Sequence, residues 1–234
     1  MNNPILSLEN VSYFYKDGDA RRYILQNVNY GFEKGKFYTI LGESGSGKTT
    51  LLSQLATLDR PGEGRILYNG QDIRQIGYAK YRRNNISIVF QGYNLIPYMT
   101  AAENLMVAMS TTDNAIPKNK RQTALNVLEY VGIGADKANR LVTKLSGGEQ
   151  QRVAIARAMT TDVDVILADE PTGNLDEGMQ GEIVNMFATM AHEFGKCIIA
   201  VTHSSAVAKR SDCVVRLQKG ELFEDAEFFG TNQQ

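Results

Sequence analysis

The sequence predicts an α/β domain around a mainly parallel sheet, with an antiparallel β part at one edge and an inserted helical part. Three observations lead there. Apolar runs of strand length alternate with amphipathic stretches of helical spacing, the pattern of repeated βα units. The apolar run Phe37–Leu41 passes straight into a glycine-rich loop and then a helical stretch. From 101 to about 159 the periodicity is mostly helical, broken by polar loops at 111–117 and 134–144, which marks an insertion.

Taken in order, residues 5–11 alternate apolar and polar like a half-buried strand, and Lys16-Asp17-Gly18 reads as the turn after it. Residues 23–32 are a second extended segment, closed by Glu33-Lys34-Gly35. After the glycine-rich loop, residues 49–58 put Leu51, Leu52, Leu55 and Leu58 on one helical face. Residues 64–70 read as strand and turn, and 86–90 as a buried strand. Beyond the insertion, strands return at 163–168 and 197–201, separated by an amphipathic helix over 179–193. The pair 213–217 and 221–223 follows. The N-terminal strands are expected as an antiparallel edge.

A chain of 234 residues can be one large domain or two small ones, and its 43% hydrophobic residues are enough to fill a substantial core. The formal net charge of -1 gives no reason to expect nucleic acid as a partner. Cys197 and Cys213 lie in apolar runs without metal-ligand spacing and read as core thiols of a reducing compartment, with a disulfide as the lesser alternative. No apolar stretch reaches the roughly 18 residues of a membrane-spanning helix. Met1-Asn2-Asn3-Pro4 lacks the basic and then apolar layout of a secretory signal. The expectation is a cytosolic chain, with any membrane part carried by another subunit.

The chemistry is concentrated in a few segments. Gly42-Glu43-Ser44-Gly45-Ser46-Gly47-Lys48-Thr49-Thr50 is a P-loop. Its glycines let backbone N–H groups converge on phosphate oxygens at a helix N-terminus. Lys48 adds a mobile charge for the β- and γ-phosphates, and the Thr49 hydroxyl is a Mg²⁺ ligand. Asp169-Glu170 ends an apolar strand, where carboxylates face the ligand crevice of open α/β sheets. Asp169 suits Mg²⁺, and Glu170 suits a general base that deprotonates the attacking water. The plainer alternative is an N-cap or surface acid pair. Gln91, after another strand, can ligate Mg²⁺ and touch that water. His203 ends a further strand, where an imidazole can hydrogen-bond the γ-phosphate. Without the other motifs it would read as an ordinary core or surface histidine.

Leu145-Ser146-Gly147-Gly148-Glu149-Gln150-Gln151-Arg152 carries no acid or base at useful spacing. Ser146 and two glycines open a helix, a second anion-binding N-terminus. One nucleotide has no use for two such sites within one compact chain. Two copies placed head-to-tail solve this, with Ser146, Gly147, Gly148 and Glu149 of one chain closing on the P-loop of the other.

Together these motifs resemble, in order and spacing, those of ABC ATPases. Tyr15, the P-loop, Gln91, the segment 145–151, the strand 165–170, Asp176 and His203 stand where that family has its A-loop, Walker A, Q-loop, signature, Walker B, D-loop and H-loop. The resemblance implies one nucleotide-binding domain over 1–234. Its antiparallel part covers about 4–35 and 62–70, its helical insertion about 93–158, and the remainder is a RecA-like core. It implies that Tyr15 stacks on adenine, with Tyr13 close enough to be confused with it. It also implies that the loop holding Tyr93, Leu95, Ile96, Pro97 and Tyr98 helps dock an integral-membrane permease. The run 171–176 is similar to the MacB and LolD group, whose members power macrolide or peptide efflux and lipoprotein release, some with a membrane-fusion-type adaptor. One branch of that group instead regulates a cell-wall hydrolase. Val142-Thr143-Lys144 departs from the proline usual there. The implied cofactor is Mg²⁺ with ATP as substrate, and the implied place is the inner face of the cell membrane. Neither a long coiled-coil insertion nor tandem cassettes suggests a DNA-repair or translation ATPase, and no guanine-specifying Asn-Lys-x-Asp run suggests a GTPase.

Overall fold

A computed structural model describes residues 3–17, 20–225 and 228. Met1, Asn2 and Gly18 of the readings above lie outside them. Along the chain run β1 (Leu6–Asp17), β2 (Ala20–Phe32), β3 (Phe37–Leu41), α1 (Lys48–Leu55), β4 (Glu63–Tyr68), β5 (Gln71–Asp72), α2 (Ile73–Ile76), α3 (Tyr78–Asn84) and β6 (Ile86–Val89). The insertion holds α4 (Ala101–Thr111), α5 (Lys120–Tyr130), α6 (Ala135–Ala138) and α7 (Gly147–Met159). Then come β7 (Val165–Asp169), α8 (Glu177–His192), β8 (Cys197–Thr202), α9 (Ser205–Ala208), β9 (Cys213–Gln218) and β10 (Glu221–Glu224).

Six strands form one sheet in the order β10-β9-β3-β8-β7-β6, and each neighbouring pair is parallel except β9 with β10. Parallel strands place all their C-terminal ends along one rim. The P-loop follows β3, Glu170 follows β7, His203 follows β8 and Gln91 comes two residues after β6, so one rim receives them all.

The N-terminal strands do not extend this sheet. They make a separate antiparallel sheet in the order β2-β1-β4-β5. β1 finds hydrogen-bond partners on both sides, in β2 and β4, and has no edge left for a third sheet neighbour. Its apolar residues Leu6, Leu8 and Val11 join the core shared with the parallel sheet instead. Lys16 and Asp17 lie within β1, so the strand outlasts the expected turn. Bulges between Leu8 and Phe14 shift its register, and Asn10 and Asn27 beside them take positive φ.

Strand alternation divides the interior. Val165 and Leu167 of β7 face a core with α1 and the antiparallel sheet, while Ile166 and Ala168 face α7 and α8. α7 serves two cores, with Ala154, Ile155 and Ala158 against the sheet and Val153 and Ala156 against α4 and α5. The helix expected over 49–58 stops earlier. Thr57 takes a φ of 54°, which ends α1 and leaves Leu58 54% exposed rather than on the apolar face. Val142–Lys144 forms one 3-10 turn, so this run needs no proline to shape it.

Candidate nucleotide site

The loop after β3 turns at positions that favour glycine, by positive φ or by close approach. Gly47 caps α1 with a φ of 102°, and Gly45 takes 79°. A Cβ on Gly42 would run into Ser46 Oγ and come 2.9 Å from the Leu217 carbonyl. Lys48 is only 8% exposed, and its Nζ donates to the carbonyls of Gly42 at 2.8 Å and Glu43 at 2.9 Å. The ammonium is thus folded over the loop it serves. The Ser46 hydroxyl is buried without a hydrogen-bond partner among the described residues. A cleft of about 340 Å³ opens here, lined by Ile24, Ser44, Gly45, Gly47, Lys48, Thr49, Thr50, Glu170 and His203.

Glu170 reaches the cleft through a strained backbone. Its φ is 43°, uncommon for a residue with a Cβ. Its N–H still donates to the Val201 carbonyl at 2.9 Å, which fixes the turn against β8. The carboxylate accepts from Thr202 Oγ1 at 2.8 Å, and its other oxygen lies 3.0 Å from His203 Nδ1. With Nδ1 facing Glu170, Nε2 is the ring nitrogen left for a phosphate oxygen. Glu170 is therefore held from two sides, which fixes where its carboxylate points.

Asp169 sits differently. Burial pushes its carboxyl above the usual range, the adjacent Glu170 charge adds to this, and Lys48 opposes it. A half-buried carboxylate crowded by a second one fits a cation, because a divalent ion reverses both penalties. Mg²⁺ takes oxygen ligands and keeps waters. Among the described residues no group of three or more His, Cys, Asp or Glu side chains is arranged to hold a metal. Of the three residues expected to hold it, Thr49 lines the cleft while Asp169 and Gln91 lie outside its lining, so these side chains would hold the ion only together with phosphate oxygens and waters. When bound, the ion would offset charge on the phosphates. Asp169→Asn relieves the local repulsion, so we expect an unliganded fold at least as thermally stable as wild type. The extra stabilisation that Mg²⁺ adds to nucleotide binding should shrink. If added Mg²⁺ raised the nucleotide-bound melting temperature as much as in wild type, Asp169 would have no part in holding metal.

The other site residues stand apart from this cleft. Gln91 is outside its lining; its Nε2 lies 3.3 Å from Asn174 Oδ1, and Asn174 Nδ2 donates to the Gln91 carbonyl at 3.2 Å. Gly173 leaves room for it, since a Cβ there would lie 2.8 Å from Gln91 Nε2. Asp176 caps α8 by accepting from Met179 N–H at 2.9 Å. Tyr15 is 55% exposed and meets Tyr13 edge-on at 5.3 Å, while the Tyr13 hydroxyl donates to Asp59 at 2.6 Å. Neither tyrosine lines the cleft.

Ser146, Gly147, Gly148 and Glu149 are absent from the cleft lining as well. Ser146 caps α7 in a reciprocal box, its Oγ accepting from Glu149 N–H while Glu149 Oε2 accepts from Ser146 N–H. Glu149 is also paired with Lys137 at 2.7 Å, so its carboxylate is engaged locally. Two contributors were not foreseen from the sequence. Ile24 of β2 lies over Gly47, so close that a Cβ there would be 3.0 Å from its Cγ2. Thr202 braces Glu170. An apolar residue in an alternating strand carries no signal of this kind; Thr202, directly before His203 at a strand end, carries a weak one.

A P-loop on a parallel sheet, a braced glutamate and a capped Ser-Gly-Gly helix start define a P-loop ATPase of the ABC class. The ABC transporter family profile matches residues 25–173, and the chain belongs to that family as an ABC ATPase, hydrolysing ATP to ADP and phosphate. It is 50% identical over 218 residues to the uncharacterized ABC transporter ATP-binding protein YclH of Bacillus subtilis, covering 93% of this chain and 95% of that one. It is 39% identical to the lipoprotein-releasing system ATP-binding protein LolD of Francisella tularensis, covering 95% and 97%. It is 37% identical to the macrolide export ATP-binding/permease protein MacB of Hyphomonas neptunium, covering 97% of this chain and 35% of that protein. A dimeric post-hydrolysis structure of the ATP-binding cassette MJ0796 of Methanocaldococcus jannaschii, bound to ADP and Pi, matches with a TM-score of 0.84. That match has 37% identity and covers 94% and 97%.

Proposed function

We propose that two copies of this chain close head-to-tail on ATP and drive a separate integral-membrane permease that exports a lipoprotein, peptide or antibiotic. The observation that carries this reading is the separation of the two phosphate-type helix starts. The cleft at the N-terminus of α1 excludes Ser146, Gly147 and Gly148, which leaves those groups to serve the nucleotide of another copy. The dimeric MJ0796 cassette supports that arrangement, and the LolD and MacB relatives support export.

In the closed site Lys48 and the P-loop N–H groups hold the phosphates, and Glu170 takes a proton from the attacking water. Thr202 and His203 keep that carboxylate aimed, and the Ser146 helix start of the second copy adds positive dipole at the phosphates.

No helix among the described residues is long and apolar enough to cross a membrane. The dock for the permease is the loop after Gln91. Asn104 is buried and holds this loop through Ile96 N–H at 2.7 Å and the carbonyls of Ile96 and Thr100. Tyr98 is left 75% exposed. The test is co-purification of an integral-membrane protein with the full chain from its native cells. Tyr98→Asp should weaken that association at least about tenfold, the size of an aromatic anchor, with ATPase activity of the free chain within about twofold. Recovery of no membrane protein, or association indifferent to Tyr98→Asp, would count against this reading.

A further inference from the structure

Gln151 interrupts an apolar row. On α7 it precedes Ala154, Ile155 and Ala158 at helical spacing, and those three pack against the parallel sheet. Gln151 is 1% exposed. Its Nε2 donates to the Pro171 carbonyl at 2.8 Å, and its Oε1 is buried with no hydrogen-bond partner among the described residues. The carbonyl itself settles which amide atom faces it, because only the NH2 group can donate. A buried acceptor left unpaired is costly, and an apolar residue of similar size avoids that cost. The presence of an amide here is therefore explained by what its donor reaches.

Pro171 is buried and directly follows Glu170. A residue before proline is pushed toward extended backbone, yet Glu170 takes a φ of 43°. In the turn that follows, the Glu170 carbonyl accepts from Gly173 N–H at 3.1 Å and the Thr172 carbonyl from Leu175 N–H at 3.2 Å. The Pro171 carbonyl between them is held from outside the turn, by Gln151. Thr202 and His203 contact the Glu170 carboxylate itself. One set of contacts thus acts on the carboxylate, and Gln151 acts on the backbone that carries it.

We propose that Gln151 is a positioning residue for ATP hydrolysis. Its amide holds the Glu170–Pro171 backbone in the strained turn from which Glu170 lines the cleft. Gln151 is outside the cleft lining and acts through Glu170. The inference rests on the reading of Glu170 as the base.

The test is a double-mutant cycle between Gln151→Met and Glu170→Gln in the full chain. It is read as kcat, ATP affinity of the monomer, melting temperature and ATP-dependent dimerisation. Gln151→Met keeps the length of the side chain and removes the donor. It should lower kcat roughly 10- to 100-fold, the scale of a displacement of about 1 Å at a reacting group, with ATP affinity within about twofold. The melting temperature should change little, since the lost bond and the relieved acceptor offset each other. In the Glu170→Gln background, Gln151→Met should cost nothing further in rate, and the double variant should still shift to dimer with ATP. An equal fold-loss in both backgrounds would overturn the inference, because Gln151 would then act apart from Glu170. Loss of ATP-driven dimerisation would also overturn it, by assigning Gln151 to the Ser146 helix start. If Gln151→Met fails to fold, the same cycle is run with Gln151→Asn, whose amide stops one methylene short of the carbonyl. A Glu170→Gln enzyme with unchanged kcat would instead remove Glu170 as the base, and the inference with it.

Discussion

Glu170→Gln is expected to bind ATP, close the dimer and then keep the nucleotide unhydrolysed. The amide has nearly the shape of the carboxylate and still accepts a hydrogen bond from Thr202, but it cannot take a proton from water. Loss of a positioned general base lowers the rate roughly 10²- to 10⁴-fold. The substitution also removes a negative charge facing the phosphates, which favours the closed state. Gel filtration should therefore show an ATP-dependent shift to dimer for Glu170→Gln and little or none for Asp169→Asn. Burial and the Glu170 charge already disfavour the charged form of Asp169, and in the proposed reading a cation offsets both. The reverse pattern, or substantial hydrolysis by Glu170→Gln, would show that the two adjacent acids have been assigned the wrong way round.

Lys48→Ala should abolish ATP turnover and weaken nucleotide binding in every variant that carries it. Lys48 is the P-loop's one formal positive charge, and its Nζ already rests on the Gly42 and Glu43 carbonyls at the mouth of the cleft. A charge-assisted contact to phosphate contributes on the order of 1.5–3 kcal/mol. At about 1.4 kcal/mol per tenfold, the loss of affinity should be roughly 10- to 150-fold. Circular dichroism on the same sample separates this from unfolding, since α1 keeps Leu51, Leu52 and Leu55 in the core. Near wild-type turnover by a folded Lys48→Ala chain would remove the phosphate role of this loop.

Local chemistry was legible in the sequence, and spatial pairing much less so. Strand β3, the P-loop and α1 follow directly from an apolar run, glycines at positions with positive φ and a leucine face. The rim that collects Glu170, His203 and Gln91 follows from strand–helix alternation, because parallel strands share one end. The sheet to which the N-terminal strands belong could not be read, since alternation in residues 5–11 reports which face is buried and not which strand lies alongside. The end of α1 was missed because Leu58 keeps the helical spacing while the backbone turns at Thr57. Ile24 and Gly173 act through neighbours distant in sequence, so nothing in their own segments marks them, and Thr202 carries only the weak signal of standing before His203 at a strand end. Ser146 shows the opposite case. Its cap on α7 is predictable from a Ser three residues before a Glu, and the cap alone does not reveal which nucleotide the helix start serves.

That last point is open to direct measurement. Lys48→Ala and Ser146→Arg chains are mixed, heterodimer formation is confirmed, and ATPase activity is compared with each variant alone. Ser146→Arg should leave ATP binding to the monomer nearly intact while crowding the helix start that faces the partner's phosphates. In a head-to-tail heterodimer one site carries both lesions and the other carries neither. An equal mixture, half of it heterodimer, should then regain up to about a quarter of wild-type activity. Confirmed heterodimers with no activity above that of the separate variants would contradict the shared site.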